Sequence, residues 1–423
     1  MKCSMKRVLL TTMLCSVLVL TASCGQNKSV EESLGNNVME NITETENSQE
    51  TSEETVVETN QETNVALDNQ DVTIEESKLS WQFTTEGKVN SSPFVSGDMI
   101  YFGSNDGNLY AVNKDTGEEV WKYTLGLPIL CQPTVQEDKV FFGGKDVFVA
   151  VDAKTGSELW LSNKQDETVE IRRKDQWDYH DASPVIDNGV VYFGSFQGII
   201  YGFDVNTGDI VWEFDASKGT PIRTTPMISN GVLYYGDWKG CYRAVDMANK
   251  KVLWENQFTA PFQSASVMKD DVLFIGGRNT RMSAINCKTG EMIWELKDTY
   301  GSWITGDPVI DGDIVYFSTS DAKKVYALNV KDGSVAAEYP IYKNSFTKVI
   351  IENGLLYITS GDAYSTPGTG KVQVYSLDDP SKAIEEYSVE TGGIFTSPVI
   401  DGNTIYFGCV DNNMYAVKLD SLQ

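Results

Sequence analysis

The chain has 423 residues, a formal net charge of −26 and a single histidine, His180. Its apolar fraction of 41% is typical of a folded protein, and its length suits either two or three ordinary domains or one long repeat fold. A chain this acidic has no electrostatic attraction to nucleic acid or to anionic lipid, which excludes nucleic acid as a partner.

The N-terminus has the pattern of an export signal. Three basic residues within the first seven precede an apolar stretch, Val8–Leu20, that is too short to span a bilayer. The small residues that follow end at Cys24, and this arrangement resembles the lipobox of bacterial lipoproteins. The resemblance predicts a signal peptide at residues 1–23, lipidation at Cys24, and an exported protein anchored to a bacterial membrane, on its periplasmic side or at the cell surface. A plain secretory signal with a chance cysteine is the alternative.

Residues 24–78 have the composition of a tether. Between Gly25 and Lys78, twelve Glu and two Asp stand against two Lys, a net charge of −12, and there is no aromatic residue. Such a segment cannot bury enough apolar surface to offset the entropy lost on ordering, and its charges repel one another. The sequence therefore predicts a lipid-anchored, disordered acidic linker.

Residues 79–423 repeat one pattern of about 40 residues eight times. A typical copy contains Ser92-Pro93, two alternating apolar runs around Asn105-Asp106-Gly107, then Asp115-Thr116-Gly117 and Trp121. Four short strands with Gly-containing turns in such a period are typical of one propeller blade. The tryptophan returns in four further copies, as Trp160, Trp212, Trp254 and Trp294. In the sixth copy Ala337 stands at this position.

The eighth copy stops before its last strand, and the segment that begins at Leu79 has the pattern of that missing strand. Pairing of this N-terminal strand with the last copy would close the ring and remove exposed sheet edges. The sequence thus predicts an all-β fold, a single eight-bladed β-propeller with four-stranded antiparallel blades over residues 79–423. A β-sandwich with chance internal similarity is the alternative.

The motif Ala-x-(Asp/Asn)-x-x-Thr-Gly-x-x-x-Trp occurs at residues 111–121, 150–160 and 284–294. It resembles the tryptophan-docking repeat of PQQ-like, or quinoprotein-type, propellers. One branch of that family consists of dehydrogenases that bind pyrroloquinoline quinone and calcium. The other consists of cofactor-free propellers, among them a lipoprotein subunit of the outer-membrane β-barrel assembly machinery, and a lipid-anchored single propeller is more similar to this second branch.

Motifs for catalysis are missing from the sequence. It contains no adjacent pair of cysteines, which the resemblance implies for a quinone alcohol dehydrogenase, and no phosphate loop or serine-nucleophile elbow. One histidine and scattered cysteines do not make a zinc site. We therefore predict no enzyme activity, no cofactor and no metal, and interpret His180 as a loop residue held by neighbouring carboxylates. Free thiols are predicted for the cysteines of the repeat region, Cys131, Cys241, Cys287 and Cys409.

The turns on one face of the predicted disc vary between copies, as expected of a binding surface on a rigid scaffold. Beyond the signal peptide the chain has six arginines, all between residues 172 and 281, and most map to this face. Arginine and tryptophan are enriched at interface hot spots. The hypothesis is a binding patch formed by Arg172, Arg173, Trp177, Arg223, Trp238, Arg278, Arg281 and Trp303; the alternative is a chance cluster of arginines that neutralise local acids.

The residue before each inner-strand proline, or its equivalent, is predicted to line the central channel. These residues are mostly small and polar, which indicates a water-filled shaft, and Asp307 and Lys348 are predicted to pair across neighbouring blades. The eight positions are Ser92, Gln132, Ser183, Thr225, Ala265, Asp307, Lys348 and Ser397.

Together these patterns predict a monomeric, extracytoplasmic, membrane-anchored scaffold that binds protein partners through its variable loop face, in envelope assembly or surface sensing. Two alternatives stay open. The first is a dehydrogenase that depends on pyrroloquinoline quinone and calcium, and the second is a sensor of a small ligand or glycan.

Overall fold

The computed structural model describes residues 78–165, 179–215 and 217–420. Over these residues the chain forms β-strands joined by turns and loops, and it contains no helix long and apolar enough to cross a membrane. The predicted signal peptide, Cys24 and the acidic linker up to residue 77 lie outside the described residues.

The strands of the first half are β1 (Leu79–Thr84), β2 (Phe94–Ser96), β3 (Met99–Gly103), β4 (Asn108–Asn113), β5 (Glu119–Thr124), β6 (Thr134–Gln136), β7 (Lys139–Gly144), β8 (Val147–Asp152), β9 (Glu158–Asn163), β10 (Val185–Asp187), β11 (Val190–Gly194), β12 (Ile199–Asp204), β13 (Ile210–Asp215), β14 (Met227–Ser229), β15 (Val232–Gly236) and β16 (Cys241–Asp246). Those of the second half are β17 (Lys251–Gln257), β18 (Val267–Lys269), β19 (Val272–Gly276), β20 (Arg281–Asn286), β21 (Met292–Lys297), β22 (Val309–Asp311), β23 (Ile314–Ser318), β24 (Lys324–Asn329), β25 (Val335–Pro340), β26 (Ile350–Glu352), β27 (Leu355–Gly361), β28 (Gly370–Ser376), β29 (Glu385–Val389), β30 (Val399–Asp401), β31 (Thr404–Gly408) and β32 (Asn413–Lys418).

These strands form eight four-stranded antiparallel sheets, each a blade whose strands follow one another in chain order. Blade one is β2–β5, blade seven is β26–β29, and the blades between them follow the same rule. Blade eight combines β30–β32 with β1, which pairs with β32 from Leu79 opposite Val417 to Thr84 opposite Asn413. The inner strand β2 contacts both β6 and β30, so the blades close into a ring. The predicted eight-bladed propeller and its closing N-terminal strand are confirmed.

The apolar core lies between neighbouring blades. In one cluster, Tyr101 and Trp121 of blade one pack with Val140, Phe142 and Val149 of blade two, and equivalent clusters follow around the ring. Alternation along each strand sends one set of side chains to each sheet face, and the two faces are covered by the preceding and the following blade. Each blade therefore depends on its neighbours to bury its apolar surface.

The repeated tryptophans join consecutive blades. Each indole N–H donates to a backbone carbonyl of the following blade, so the polar end of a large buried ring is satisfied. In five of the six contacts a turn glycine of that blade lies against the ring; a Cβ at Gly208, for example, would come 2.6 Å from Trp160. The six donor–acceptor pairs are Trp81–Lys114 (2.8 Å), Trp121–Ala153 (3.0 Å), Trp160–Val205 (3.2 Å), Trp212–Met247 (2.9 Å), Trp254–Cys287 (2.8 Å) and Trp294–Val330 (2.9 Å).

Blade six keeps this contact by another route. Ala337 stands at the tryptophan position, and the hydroxyl of Tyr339, two residues further along β25, donates to the Leu377 carbonyl of blade seven at 3.4 Å. Leu377 occupies the position of the other acceptors, since its own N–H bonds to Gly354 as theirs bond to equivalent turns. Blade six therefore retains an aromatic link to the next blade.

The four cysteines are buried and free, which confirms the predicted thiols. Cys131 illustrates their environment: its Sγ donates to the Gly143 carbonyl at 3.3 Å, and burial raises the pKa of its thiol to about 12. A thiol of that pKa is not ionised at neutral pH, so it is a poor nucleophile and a poor metal ligand.

We expect Gly208→Ala to destabilise the propeller more than Gly231→Ala. Both glycines have positive φ, 72° and 74°, so an added Cβ costs about 1–2 kcal/mol of backbone strain at either site. Only Gly208 faces a neighbouring ring, and overpacking against Trp160 adds about 1–3 kcal/mol. Urea midpoints of the two variants test this; equal midpoints would show that the Gly–Trp contact contributes nothing.

Candidate functional site at the mouth of the central shaft

The residues predicted to line the central channel do so. A cavity of about 330 Å³ lies at the centre of the ring and is lined by seven of the eight predicted positions, namely Ser92, Gln132, Ser183, Thr225, Asp307, Lys348 and Ser397. The eighth, Ala265, is tied to the same ring through its backbone, because its N–H donates to Asp307 Oδ1 at 2.6 Å.

A belt of hydrogen bonds connects these positions from blade to blade. A backbone N–H donates to the side-chain oxygen at the equivalent position of the next blade at 2.6–3.0 Å. Among the described residues three bonds of the ring are missing, because Gln132, Ala265 and Lys348 do not accept one from the preceding blade, although each donates to the following blade. The five bonds run from Gln132 to Ser183, Ser183 to Thr225, Ala265 to Asp307, Lys348 to Ser397, and Ser397 to Ser92. Small polar residues in the shaft thus serve ring closure.

The predicted pairing of Asp307 with Lys348 is wrong. Among the described residues no ion pair joins them, and Lys348 is exposed within the shaft. The reason lies in the belt, because Asp307 turns its carboxylate back toward blade five to accept from Ala265. This leaves the carboxylate and the ammonium group on neighbouring blades without contact.

Tyr179 closes the shaft at the variable face, the face that carries the turns between second and third strands and the blade-to-blade connections. Tyr179 belongs to the connection into blade three. Its ring stacks on Phe395 of the connection into blade eight, with centroids 4.4 Å apart, and lies 5.2 Å from Phe346 of the connection into blade seven. The end of this connection at Tyr179 therefore lies across the mouth of the shaft, and the predicted water-filled channel is blocked there by an aromatic cluster.

His180 follows directly and is held by its backbone. Its carbonyl accepts from Arg223 at 2.7 Å and from Gln263 at 3.2 Å. Its ring lines the shaft cavity, and burial lowers the pKa of His180 below its usual value, so the imidazole is neutral at pH 7. The sequence predicted neighbouring carboxylates as its anchors; the anchors are instead a guanidinium group and an amide, while Asp181 pairs with Arg223.

Four of the predicted binding residues form one stack on this face. The Arg223 guanidinium lies 4.6 Å from the centroid of Trp238, and the Arg278 guanidinium lies 4.8 Å from Trp238 and 4.2 Å from Trp303. Phe196 extends the stack, 6.0 Å from Arg223. We call these five residues the Arg–Trp ladder; it runs across turns and connections of blades three to six.

The ladder is buried. Arg223 is 3% exposed and Arg278 is 8% exposed, so neither guanidinium group is open to a partner. Arg223 pairs with Asp181 at 3.2 Å, and Arg278 donates to Gln263 Oε1 at 3.0 Å. Because Gln263 also donates to His180, the ladder and the crossing connection form one network. This arrangement braces the mouth of the shaft.

The other predicted binding residues are not in this network. Arg281 lies on β20 and pairs with Glu295 of the adjacent strand. Arg172, Arg173 and Trp177 lie outside the described residues. A direct role of the eight residues in partner binding stays a prediction. Sequence reasoning missed Tyr179, Gln263, Phe346 and Phe395; the available signal was the 24-residue span from Trp160 to Pro184, twice that from Trp121 to Pro133.

A buried carboxylate joins blades two and three beside the ladder. Asp146, 2% exposed, accepts from the backbone N–H of Phe196 at 2.7 Å. The neighbouring Gln197 donates to the carbonyl of Lys164, which follows the last strand of blade two. Burial raises the pKa of Asp146 to about 6, since a charged carboxylate is poorly solvated there.

A groove borders the closed mouth on the opposite side from the ladder. It has a volume of about 300 Å³ between Tyr179, Phe395 and the long turn of blade seven at residues 362–368. Tyr364 projects from this turn, 70% exposed, and its hydroxyl donates to Asp321 at 2.6 Å. The variable face thus offers aromatic and polar groups on a rigid base.

A family model described as outer membrane protein assembly factor BamB matches residues 45–201 and 197–421, most of the chain. The chain belongs to this family of PQQ-like propellers. The BamB of Burkholderia pseudomallei is 23% identical over 301 residues, which cover 67% of this chain and 66% of that relative, slightly less than two thirds of its length. The quinone alcohol dehydrogenase subunit of Gluconacetobacter polyoxogenes is 28% identical over 158 residues, 32% of this chain and 21% of that relative.

A solved structure of BamB from Moraxella catarrhalis superposes with a TM-score of 0.56 at 19% identity, covering 80% of this chain and 88% of that one. At this identity the likeness shows the propeller fold alone. The family resemblance inferred from the tryptophan-docking repeat is confirmed by the BamB family match.

The residues of this chain do not fit the quinone and calcium that the dehydrogenase branch implies. The described residues contain no group of three or more His, Cys, Asp or Glu that could hold a metal ion. The sequence lacks adjacent cysteines, and Tyr179, Phe346 and Phe395 fill the mouth of the shaft. The absence of enzyme activity stays a prediction.

Arg223→Met is expected to open the crossing connection. It removes the guanidinium group that contacts Asp181 and the His180 carbonyl, and breaking a buried pair costs about 3–5 kcal/mol. Hydrogen exchange at residues 179–183 should accelerate and the urea midpoint should fall. Arg281→Met, which removes a more exposed arginine, is the control and should change neither. Unchanged exchange in Arg223→Met would contradict the bracing role of the ladder.

Stability should fall with rising pH through the titration of Asp146. Its pKa of about 6 in the folded protein exceeds the unfolded value of about 3.9, so its contribution is complete below about pH 4 and is lost as pH rises through 6. Relative to Asp146→Asn, the wild type should lose about 2–3 kcal/mol between pH 4 and 7.

Denaturant unfolding at each pH measures this difference. Asp152→Asn is the control, because hydrogen bonds from Thr155 lower the pKa of half-buried Asp152, a shift opposite in direction to that of Asp146. A constant difference between wild type and Asp146→Asn from pH 4 to 7 would contradict the assignment.

Proposed function

We propose that this protein is an extracytoplasmic scaffold, anchored to a bacterial membrane through Cys24, that binds a protein partner in envelope assembly. Membership of the BamB family supports the assembly role, since several curated relatives are named outer membrane protein assembly factors. The acidic linker between Cys24 and the propeller would give the disc reach from the membrane.

The observation that carries the proposal is the closure of the shaft mouth by Tyr179. A site for chemistry needs a concave chamber with converging catalytic groups. Here the centre of the variable face is occupied by stacked aromatic rings and braced by buried guanidinium groups. Such a face is a continuous surface, and rigid surfaces bind with less loss of conformational entropy.

The partner is expected to contact the groove beside Tyr179 and the blade-seven turn. Tyr364 provides an exposed ring, and tyrosine contributes a large contact area with few rotatable bonds. Lys88 lines the groove, so acidic or polar groups of a partner can be accommodated on an otherwise acidic protein.

Photocrosslinking from single positions on the membrane-anchored protein tests the proposal. A photoreactive residue at Tyr364 or Lys218, both exposed on the variable face, should give one reproducible protein adduct, identified by mass spectrometry. The same residue at Lys154 or Lys331, exposed in turns on the opposite face, should give none. Tyr364→Ala should reduce recovery of that partner about tenfold, while leaving the thermal midpoint unchanged.

Adducts from the opposite face alone would contradict the variable face as the docking surface. No specific adduct from either face would contradict the scaffold role. Calcium-dependent reduction of an electron-acceptor dye by the purified protein with pyrroloquinoline quinone and ethanol would favour the dehydrogenase alternative.

A further inference from the structure

The shaft cavity holds opposite charges that do not satisfy each other. Lys348 and Asp307 line it from neighbouring blades, and among the described residues neither forms an ion pair. Asp307 Oδ1 accepts from Ala265, and no described residue donates to its second oxygen. Lys348, two residues before β26, lines the shaft together with Ile350 and Glu352 of that strand, so a second carboxylate lies further along the shaft.

Two polar atoms near the closed end of the cavity are also unsatisfied. Thr305 is 5% exposed and lines the cavity, yet its hydroxyl has no hydrogen-bond partner. The Nε2 atom of His180 is buried without a partner as well. Buried polar groups are nearly always paired in folded proteins, so unpaired ones that face a cavity mark positions for a ligand's polar atoms.

The cavity has one closed end and one accessible end. Tyr179 and His180 close it at the variable face, while Glu352, at the far end of β26, is exposed to solvent. A volume of about 330 Å³ lies in the range of small-molecule sites. A ligand would therefore arrive from the face opposite to the proposed protein-binding surface.

We propose that the shaft binds a small zwitterion of the amino-acid type. Its carboxylate pairs with Lys348, and its ammonium group pairs with the second carboxylate oxygen of Asp307. The Thr305 hydroxyl and the neutral His180 ring hydrogen-bond to the remaining polar atoms. A neutral sugar would leave both charges unpaired, and a simple anion or cation would satisfy one of them.

Calorimetry on the full-length protein in detergent tests the proposal. Thermal shifts with each of the twenty free L-amino acids select the probe, and titration of the best one should give one site per chain. Acetate, methylamine and glucose serve as half-ligands and as a neutral comparison. Each should bind at least roughly tenfold more weakly than the selected amino acid, because each leaves at least one charge unpaired.

Lys348→Met and Asp307→Asn should each weaken binding of the selected amino acid roughly tenfold or more. Asparagine keeps an oxygen for the Ala265 N–H, so the belt and the thermal midpoint should be preserved. The matched controls are Lys288→Met and Asp271→Asn, which remove the members of an exposed ion pair and should bind as the wild type does.

Three outcomes would overturn the proposal. They are no binding of any amino acid, equal binding of acetate, methylamine or glucose, and wild-type affinity in both Lys348→Met and Asp307→Asn. None of these concerns the variable face, so the crosslinking result stands independently.

Discussion

The pairing of β1 with β32 is the contact on which the rest of the propeller depends. Each blade buries its faces against two neighbours, so an open ring would leave two blades half-exposed. β1 joins the first and last blades of the propeller, because it completes blade eight while its Trp81 donates to Lys114 of blade one. The ion pair of Lys114 with Asp401, at 2.5 Å, and the bond from Ser397 to Ser92 span the same junction.

The interactions that close the ring also determine where a blade can vary. Tryptophan docking and the Thr-Gly turns use the face opposite to the variable one, so these segments hardly change between copies. In blade four, Lys250 replaces the glycine with φ of 52° and places its ammonium group 5.9 Å from the Trp212 ring. The variable face carries no such constraint, which allows the long connection into blade three and the extended turn of blade seven.

Periodicity made the fold predictable and left the mouth of the shaft unpredictable. Trp121 and five equivalents donate to the same acceptor position of the following blade, so the repeat alone indicated blade number, closure and the shaft-lining positions. Tyr179 meets Phe346 and Phe395 from distant blades, and no local pattern encodes such contacts. Arg223 and Arg278 were expected to serve a partner, because arginine is seldom fully buried; their burial depends on Asp181 and Gln263, which only the folded ring brings near. The direction of the Asp307 side chain was also unpredictable, because it depends on the hydrogen bond from the Ala265 N–H of blade five.

His180 connects the Arg–Trp ladder to the shaft cavity. Its carbonyl is bound by Arg223 and Gln263 of the ladder network, whereas its ring faces the shaft cavity. A substitution in the ladder therefore disturbs the roof of the cavity as well as the variable face above it. Lys348 and Asp307 lie in the shaft wall and take part in neither the ladder nor the aromatic cluster; Asp307 also accepts the belt hydrogen bond from Ala265. Substitutions of Lys348 and Asp307 therefore change the interior site without altering the residues of the ladder or of the aromatic cluster.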